Sequence, residues 1–121
     1  MTRILIVDDS PTQLNGLTKI LAKHGYETIE AEDGALAVAK ASSEKPDIIL
    51  MDVVMPNLNG FQATRQITRN PETSHIPVIM LTSKDQETDR VWAERQGASD
   101  YVTKPPSESD LLAKIQSLLP D

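Results

Sequence analysis

Residues 4–13, Ile-Leu-Ile-Val-Asp-Asp-Ser-Pro-Thr-Gln, hold a strand, an acidic turn and a helix start in one uninterrupted run. The short, continuously apolar stretch 4–7 suits a strand covered on both faces, as in a parallel sheet. Ser10 then stands at a cap position, Pro11 at the first helical position and Gln13 three residues after the cap. The helix that follows carries Leu14, Leu17, Ile20 and Leu21 on one face and stops at His24-Gly25. A buried strand passes into a capped helix through two aspartates, and the rest of the chain can be parsed in the same unit.

Residues 48–51, 78–81 and 101–103 are further short apolar runs, and Glu27–Ala31 alternates polar and apolar residues as a half-buried edge strand would. Between them, Asp33-Gly34 precedes an Ala-rich helix that ends before Pro46. Asn59-Gly60-Phe61-Gln62, Ser83-Lys84-Asp85-Gln86 and Ser107-Glu108-Ser109-Asp110 open three more helices. The last carries Leu111, Leu112, Ile115, Leu118 and Leu119 as one apolar stripe. The predicted order is βαβαβαβαβα. Strict alternation implies a five-stranded parallel sheet with helices on both faces, a doubly wound α/β fold. The reading is one domain over residues 1–121, with no linker or low-complexity tract and no output domain after the fifth helix.

Composition narrows the function. A chain of 121 residues matches one domain at roughly 100–200 residues each. The formal net charge is −6 and no basic run occurs, so neither nucleic acid nor an anionic membrane is an expected partner. The chain has no cysteine, which removes disulfides, thiolate metal sites and a cysteine nucleophile. No apolar run approaches the ~18 residues of a membrane span and no signal peptide opens the sequence. A soluble, cytoplasmic protein is expected.

In an open α/β sheet, ligands bind outside the carboxyl ends of the strands. That rule sorts the acidic residues. Asp8 and Asp9 follow the first strand and Asp52 follows the third, so the three can converge. Asp47 and Asp100 enter their strands at the opposite end and are excluded. Asp33 is better explained as a helix cap. Three neighbouring carboxylates raise one another's pKa unless a cation joins them. An all-oxygen site that supplies few ligands and leaves the rest of the shell open suits Mg²⁺ better than Ca²⁺. The plainer alternative, a polar loop with a helix cap, accounts for Asp8-Asp9 alone but not for Asp52 at the neighbouring strand exit. Thr82 follows the fourth strand and Lys104 the fifth. Each alone would be a strand-end cap or a solvated side chain. At the same edge, a metal-binding carboxylate trio, a hydroxyl and an ammonium can accept a phosphoryl group on a carboxylate and neutralise its oxygens.

Val7-Asp8-Asp9-Ser10, Met51-Asp52-Val53-Val54-Met55-Pro56, Leu81-Thr82-Ser83 and Thr103-Lys104-Pro105 together resemble the signature of response-regulator receiver domains, in order and over essentially the whole chain. The resemblance implies a flavodoxin-like (CheY-like) fold with strand order 2-1-3-4-5. It implies Asp52 as phosphoacceptor, loaded from a phosphohistidine on a histidine kinase or phosphotransfer domain. It implies Mg²⁺ held by Asp9, Asp52 and the backbone carbonyl of Val54, with Asp8 acting through water. Lys104 would contact the phosphoryl oxygens, Thr82 would turn toward them, and Tyr101 would follow as an aromatic switch. Lys104-Pro105 would be cis, although X–Pro bonds are cis in only about 5–6% of cases. The stretches 59–66 and 84–89, with Val91-Trp92, are most similar to the stand-alone regulators of type IV pilus twitching motility. A protein target or a shared kinase drained of phosphate would then be the readout, and a monomer is expected.

Some residues depart from that pattern or stand outside it. Pro106 replaces an apolar residue common in the family, which Pro tolerates at a helix's first turn. Val54 cannot hold an attacking water, and Lys84 occupies the other position that tunes dephosphorylation, so a longer-lived acyl phosphate is expected than with Asn at 54. Trp92, the only tryptophan, has polar neighbours in Thr88, Arg95 and Gln96 that leave room for partial exposure; packing is the commoner fate of a helical aromatic, and an interaction role is the alternative. His24 and His75 are read as capping or solvated. Three other functions compete. A Mg²⁺-dependent aspartyl-phosphate phosphatase would resemble an Asp-x-Asp pattern after the first strand, whereas the pair here is adjacent. A flavodoxin-type carrier would need a hydroxyl-rich phosphate loop where this chain has carboxylates. A phosphorylation-independent binding module is the third.

Overall fold

The computed structural model describes residues 2–53, 58–82, 87–104 and 106–119, with the side chains of 87–89 excluded. Ten elements alternate along the chain: β1 (Arg3–Val7), α1 (Pro11–Lys23), β2 (Glu27–Ala31), α2 (Gly34–Glu44), β3 (Ile48–Asp52), α3 (Gly60–Arg69), β4 (Val78–Thr82), α4 (Glu87–Arg95), β5 (Asp100–Thr103) and α5 (Glu108–Leu118). The strands form one sheet in the order β2-β1-β3-β4-β5, every pair parallel. Asp52 and Thr82 are the last residues of β3 and β4 rather than the first beyond them. Register aligns the carboxyl ends: Val7 pairs with Met51, Asp52 with Leu81 and Thr82 with Thr103.

The period-2 alternation of strand side chains divides the core into two layers. Leu5, Val7, Ile49, Met51, Val78, Met80 and Tyr101 face α2, α3 and α4, where Ala37, Ala41, Ala63 and Ala93 let the helices approach closely. Ile4, Ile6, Ile48, Leu50, Ile79, Leu81 and Val102 face α1 and α5, against Leu14, Leu17, Leu21, Leu111 and Ile115. Each large aliphatic side chain buried this way contributes about 1.5–3 kcal/mol. Both faces of the sheet are therefore closed, and only its two ends can carry chemistry.

The helix starts follow their caps. The side chains of Ser10, Asp33, Asn59 and Ser107 accept from the backbone N–H groups of Gln13, Leu36, Gln62 and Asp110. Asn59 and Gln62 complete a reciprocal capping box. The start proposed at Ser83 lies outside the described residues. Gly25, at φ 85°, ends α1 in the left-handed region that other residues avoid. In α5 only Leu111 and Ile115 of the apolar stripe are fully buried; Leu112, Leu118 and Leu119 pack at its margin.

Trp92 takes the exposed alternative. It is 52% exposed, not packed, because Ala93 takes the inward position of α4 and turns its neighbour outward. His24 caps α1 and, with Lys23, lies 3.6 Å from Glu108 at the start of α5, while His75 is exposed.

Candidate functional site

A cleft of about 210 Å³ opens at the carboxyl end of the sheet, lined by Asp8, Asp9, Ser10, Gln13, Asp52, Thr82 and Lys104. The fold brings these residues together from four chain segments. β1 and β3 are adjacent, so their exits set Asp8 and Asp9 beside Asp52. β4 and β5 continue the row with Thr82 and Lys104, and the Lys104 N–H donates to the Thr82 carbonyl at 2.6 Å.

Asp8 is buried and fixed by the backbone. Its N–H donates to the Ala31 carbonyl at 3.1 Å, and its Oδ1 accepts from the Ser10 N–H at 2.9 Å. Asp9 is exposed at the mouth of the cleft, and Asp52 is only 7% exposed at its floor. One carboxylate oxygen from each of the three lies within 4.8 Å of the others. The Lys104 ammonium reaches into the cluster and donates to Asp8 Oδ2 at 2.7 Å and to Asp52 Oδ1 at 2.9 Å.

The charges do not balance. With all groups ionised, three carboxylates and one ammonium leave a formal charge of −2. Burial pushes the Asp52 carboxyl above its ordinary value of 3.8; Lys104 opposes the shift through its hydrogen bond and charge, and Asp8 and Asp9 reinforce it. Burial would lower the Lys104 ammonium, but hydrogen bonds to Asp8 and Asp52, with their charges, more than offset it and hold it above 10.5. The two directions agree physically: a net-negative pocket retains its proton on nitrogen and resists a further anion. Oxygen donors this close, with an uncancelled double negative charge, fit a hard divalent cation. The donor set therefore suits the magnesium expected from sequence.

Every side chain singled out at the strand exits, Asp8, Asp9, Asp52, Thr82 and Lys104, lines this cleft. The Val54 carbonyl and the Lys104-Pro105 bond lie outside the described residues, as does Lys84. Tyr101 lies in β5 in the layer packed against α2, α3 and α4, 5% exposed, with the Arg90 guanidinium 5.3 Å from its ring centre. Asp47 and Asp100 sit at the far end of the sheet, and Asp33 is a cap. Sequence reasoning treated Ser10 and Gln13 only as capping residues. Both also line the cleft, since the first turn of α1 starts directly at the β1 exit; that adjacency was the available signal.

Comparison with known proteins places this geometry in context. A match to the response regulator receiver domain covers residues 4–116. The chain is 61% identical to protein PilH of Pseudomonas aeruginosa over 119 residues, which is 98% of each chain. Its fold superposes on the chemotaxis protein CheY4 of Vibrio cholerae with a TM-score of 0.92 and 31% identity, over 98% of this chain and 99% of that one. The receiver domain of a sensor histidine kinase from Pseudomonas aeruginosa PAO1, solved with a magnesium ion coordinated in its active-site cleft, superposes with a TM-score of 0.90. It is 32% identical over 97% of this chain and 96% of that one.

Proposed function

The chain belongs to the response regulator receiver domain family, and from that premise we propose that Asp52 accepts a phosphoryl group from a phosphohistidine donor. A receiver domain takes its phosphoryl from a partner such as a histidine kinase; phosphorylation on Asp52 is the reading that this cleft supports best. The carrying observation is the 4.8 Å cluster of Asp8, Asp9 and Asp52 oxygens with Lys104 bridging Asp8 and Asp52.

In this reading an Asp52 carboxylate oxygen attacks phosphorus. The P–N bond breaks, the imidazole leaves with the electron pair, and an acyl phosphate forms. Lys104, already hydrogen-bonded to Asp52, orients the carboxylate and pairs with the incoming phosphoryl oxygens. Asp8, fixed by the backbone, keeps the ammonium in the cleft. Asp9 and Asp52, with the Val54 carbonyl and with Asp8 through water, would hold a magnesium ion, which when bound supplies charge neutralisation for the transferred group. Thr82, at the end of β4, offers its hydroxyl to the phosphoryl. Loading the phosphoryl shifts the population between two conformations in which Tyr101 and Arg90 pack differently, so partners read α4 and β5. The chain acts as a phosphorylation switch that catalyses only its own loading and discharge.

Similarity to PilH supports a role in type IV pilus twitching motility, and we propose that the chain exerts it as a monomer in the cytoplasm. The readout is a protein target or withdrawal of phosphate from a shared kinase.

The test is incubation with acetyl phosphate, with and without Mg²⁺, followed by intact mass measurement. One phosphoryl should add in the presence of the metal and fail to add to Asp52→Asn. A gain that survives in Asp52→Asn, or that ignores the metal, would overturn the assignment. Steady turnover of unrelated phosphomonoesters would instead favour a phosphatase.

A further inference from the structure

Both α1 and α3 carry a glutamine three residues after the cap, and the fold uses the two side chains differently. In α3 the capping box closes: the Gln62 N–H donates to Asn59 Oδ1 at 2.9 Å, and the Asn59 N–H donates to Gln62 Oε1 at 3.1 Å. In α1 only half of the box forms. The Gln13 N–H donates to Ser10 Oγ at 3.4 Å, but the Ser10 N–H donates to Asp8 Oδ1 at 2.9 Å instead of to the glutamine. Asp8 takes the cap position that the Gln13 side chain would fill. The Gln13 carboxamide then has no hydrogen-bond partner among the described residues, and Gln13 lines the cleft.

Helix geometry gives the side chain its direction. Side chains lean toward the amino end of a helix, and the amino end of α1 adjoins the β1 exit, where Asp8 and Asp9 stand. Gln13 is exposed, so it belongs to the rim of the cleft, whereas nearly buried Asp52 forms the floor. Lys104 is committed to Asp8 and Asp52, and Ser10 Oγ to the cap of α1. A carboxamide can donate and accept at once, and it adds no charge to a pocket that is already net negative. Phosphoryl transfer runs in line. Once Asp52 carries the phosphoryl group, its leaving oxygen lies at the floor, and an attacking water must enter from the rim.

We propose that Gln13 orients the water that hydrolyses the Asp52 acyl phosphate, an inference that rests on the phosphorylation reading above. The carboxamide oxygen accepts from the water, and its NH₂ group donates to a phosphoryl oxygen. The water oxygen bonds to phosphorus, and the P–O bond to Asp52 breaks with its electron pair returning to the carboxylate. Both water protons leave with the dihydrogen phosphate released. An amide is no base, so its part is orientation of the nucleophile. The side chain of Val54 offers that water no hydrogen bond, which leaves the rim of α1 to supply one.

The test loads wild type, Gln13→Ala and Gln13→Met with acetyl phosphate and Mg²⁺, removes the donor by rapid desalting, and follows intact mass against time. Loss of the phosphoryl group should slow about tenfold in both variants, the worth of one hydrogen bond in the transition state. Loading should stay near the wild-type rate, because its nucleophile is Asp52 itself. Gln13→Met keeps the length of the side chain but neither donates nor accepts as an amide does, so wild-type decay in that variant would reassign Gln13 to shielding and overturn the proposal. Unchanged decay in Gln13→Ala, or equal slowing of loading and decay, would overturn it as well. So would slow decay that saturating Mg²⁺ restores, since Gln13 would then act on the metal. Circular dichroism would verify folding, which the exposed position of Gln13 favours. A wild type that takes up no phosphoryl group would remove the phosphorylation reading and this one with it. Loading with unchanged decay would remove this one alone.

Discussion

Both ends of the sheet carry aspartates at strand termini, but they handle the charge in opposite ways. At the amino end, Asp47 is exposed and its Oδ2 accepts from the Arg3 N–H at 2.8 Å. Asp100 accepts from the Tyr101 N–H at 2.8 Å and lies 3.5 Å from a part-exposed Lys114. Each carboxylate there is at least partly exposed and matched to its own donor. At the carboxyl end, Asp8 and Asp52 are both buried and share one ammonium, with Asp9 adding a further charge at the mouth. Identical side chains thus act as structural ties at one end and as an underneutralised pocket at the other. Topology makes the difference, because adjacent strand exits can crowd charges that isolated ones cannot.

The sharpest way to break the contrast is to deform the crowded end without touching a charge. Gly60 opens α3 with its N–H donating to the Val53 carbonyl at 2.9 Å. A Cβ there would lie 2.0 Å from the Asp52 carbonyl oxygen and 2.9 Å from the Val53 Cα, both backbone atoms that cannot swing aside. Gly60→Ala should cost about 3 kcal/mol, the upper part of the range for overpacking, in urea unfolding. It should also impair phosphoryl uptake, since the shift falls on Asp52. A variant with wild-type stability and uptake would show that the β3 exit is not held as tightly as its packing implies.

The next largest effect separates the two lysines. Lys104→Ala leaves buried carboxylates without their cation and should destabilise the fold by about 1–3 kcal/mol, less than the full cost of a broken interior pair because the cleft admits water. Lys114→Ala removes a part-exposed partner and should cost about 1 kcal/mol or less. Added Mg²⁺ should recover stability for Lys104→Ala and leave Lys114→Ala without a comparable gain. Equal losses in the two variants would erase the distinction between the ends.

How much of this was legible before the structure depends on the kind of information involved. Buried strands read clearly because residues 4–7, 48–51 and 78–81 are apolar without interruption, which only two covered faces require. The site read clearly because Asp8, Asp9, Asp52, Thr82 and Lys104 each sit at a strand exit, and a parallel sheet sends every exit to one end. What stayed hidden depends on distance between segments. Nothing in the order of residues says that Gly60 must yield space to the Asp52 carbonyl, or that Lys104 bridges Asp8 and Asp52. Trp92 stayed undecided for a related reason: in a helix with so few apolar residues, only the placement of Ala93 shows which side is inward.

The smallest effect has the most diagnostic sign. Asp52 has a folded-state pKa raised above its ordinary 3.8, chiefly by burial, so its ionised form is disfavoured in the fold. Its contribution is therefore most favourable at low pH, where it is neutral, and declines as pH rises from 3.8 through the raised value. Asp52→Asn should accordingly be more stable than the parent at neutral pH in metal-free buffer, and the advantage should shrink as pH falls through the raised pKa and be gone below about pH 3.8. Lys104 acts in a different window: raised above 10.5, it contributes fully below that value, and its contribution is lost as pH climbs through the folded-state pKa. Asp47→Asn tests the other end, where an exposed side chain serves one backbone N–H and the amide oxygen can still accept. It should change stability little and without the Asp52 pH profile. Thermal melts of the three proteins across pH decide the matter. If Asp52→Asn is destabilised at neutral pH, the pairing with Lys104 outweighs the burial of that carboxylate, and the contrast between the two ends of the sheet fails at Asp52.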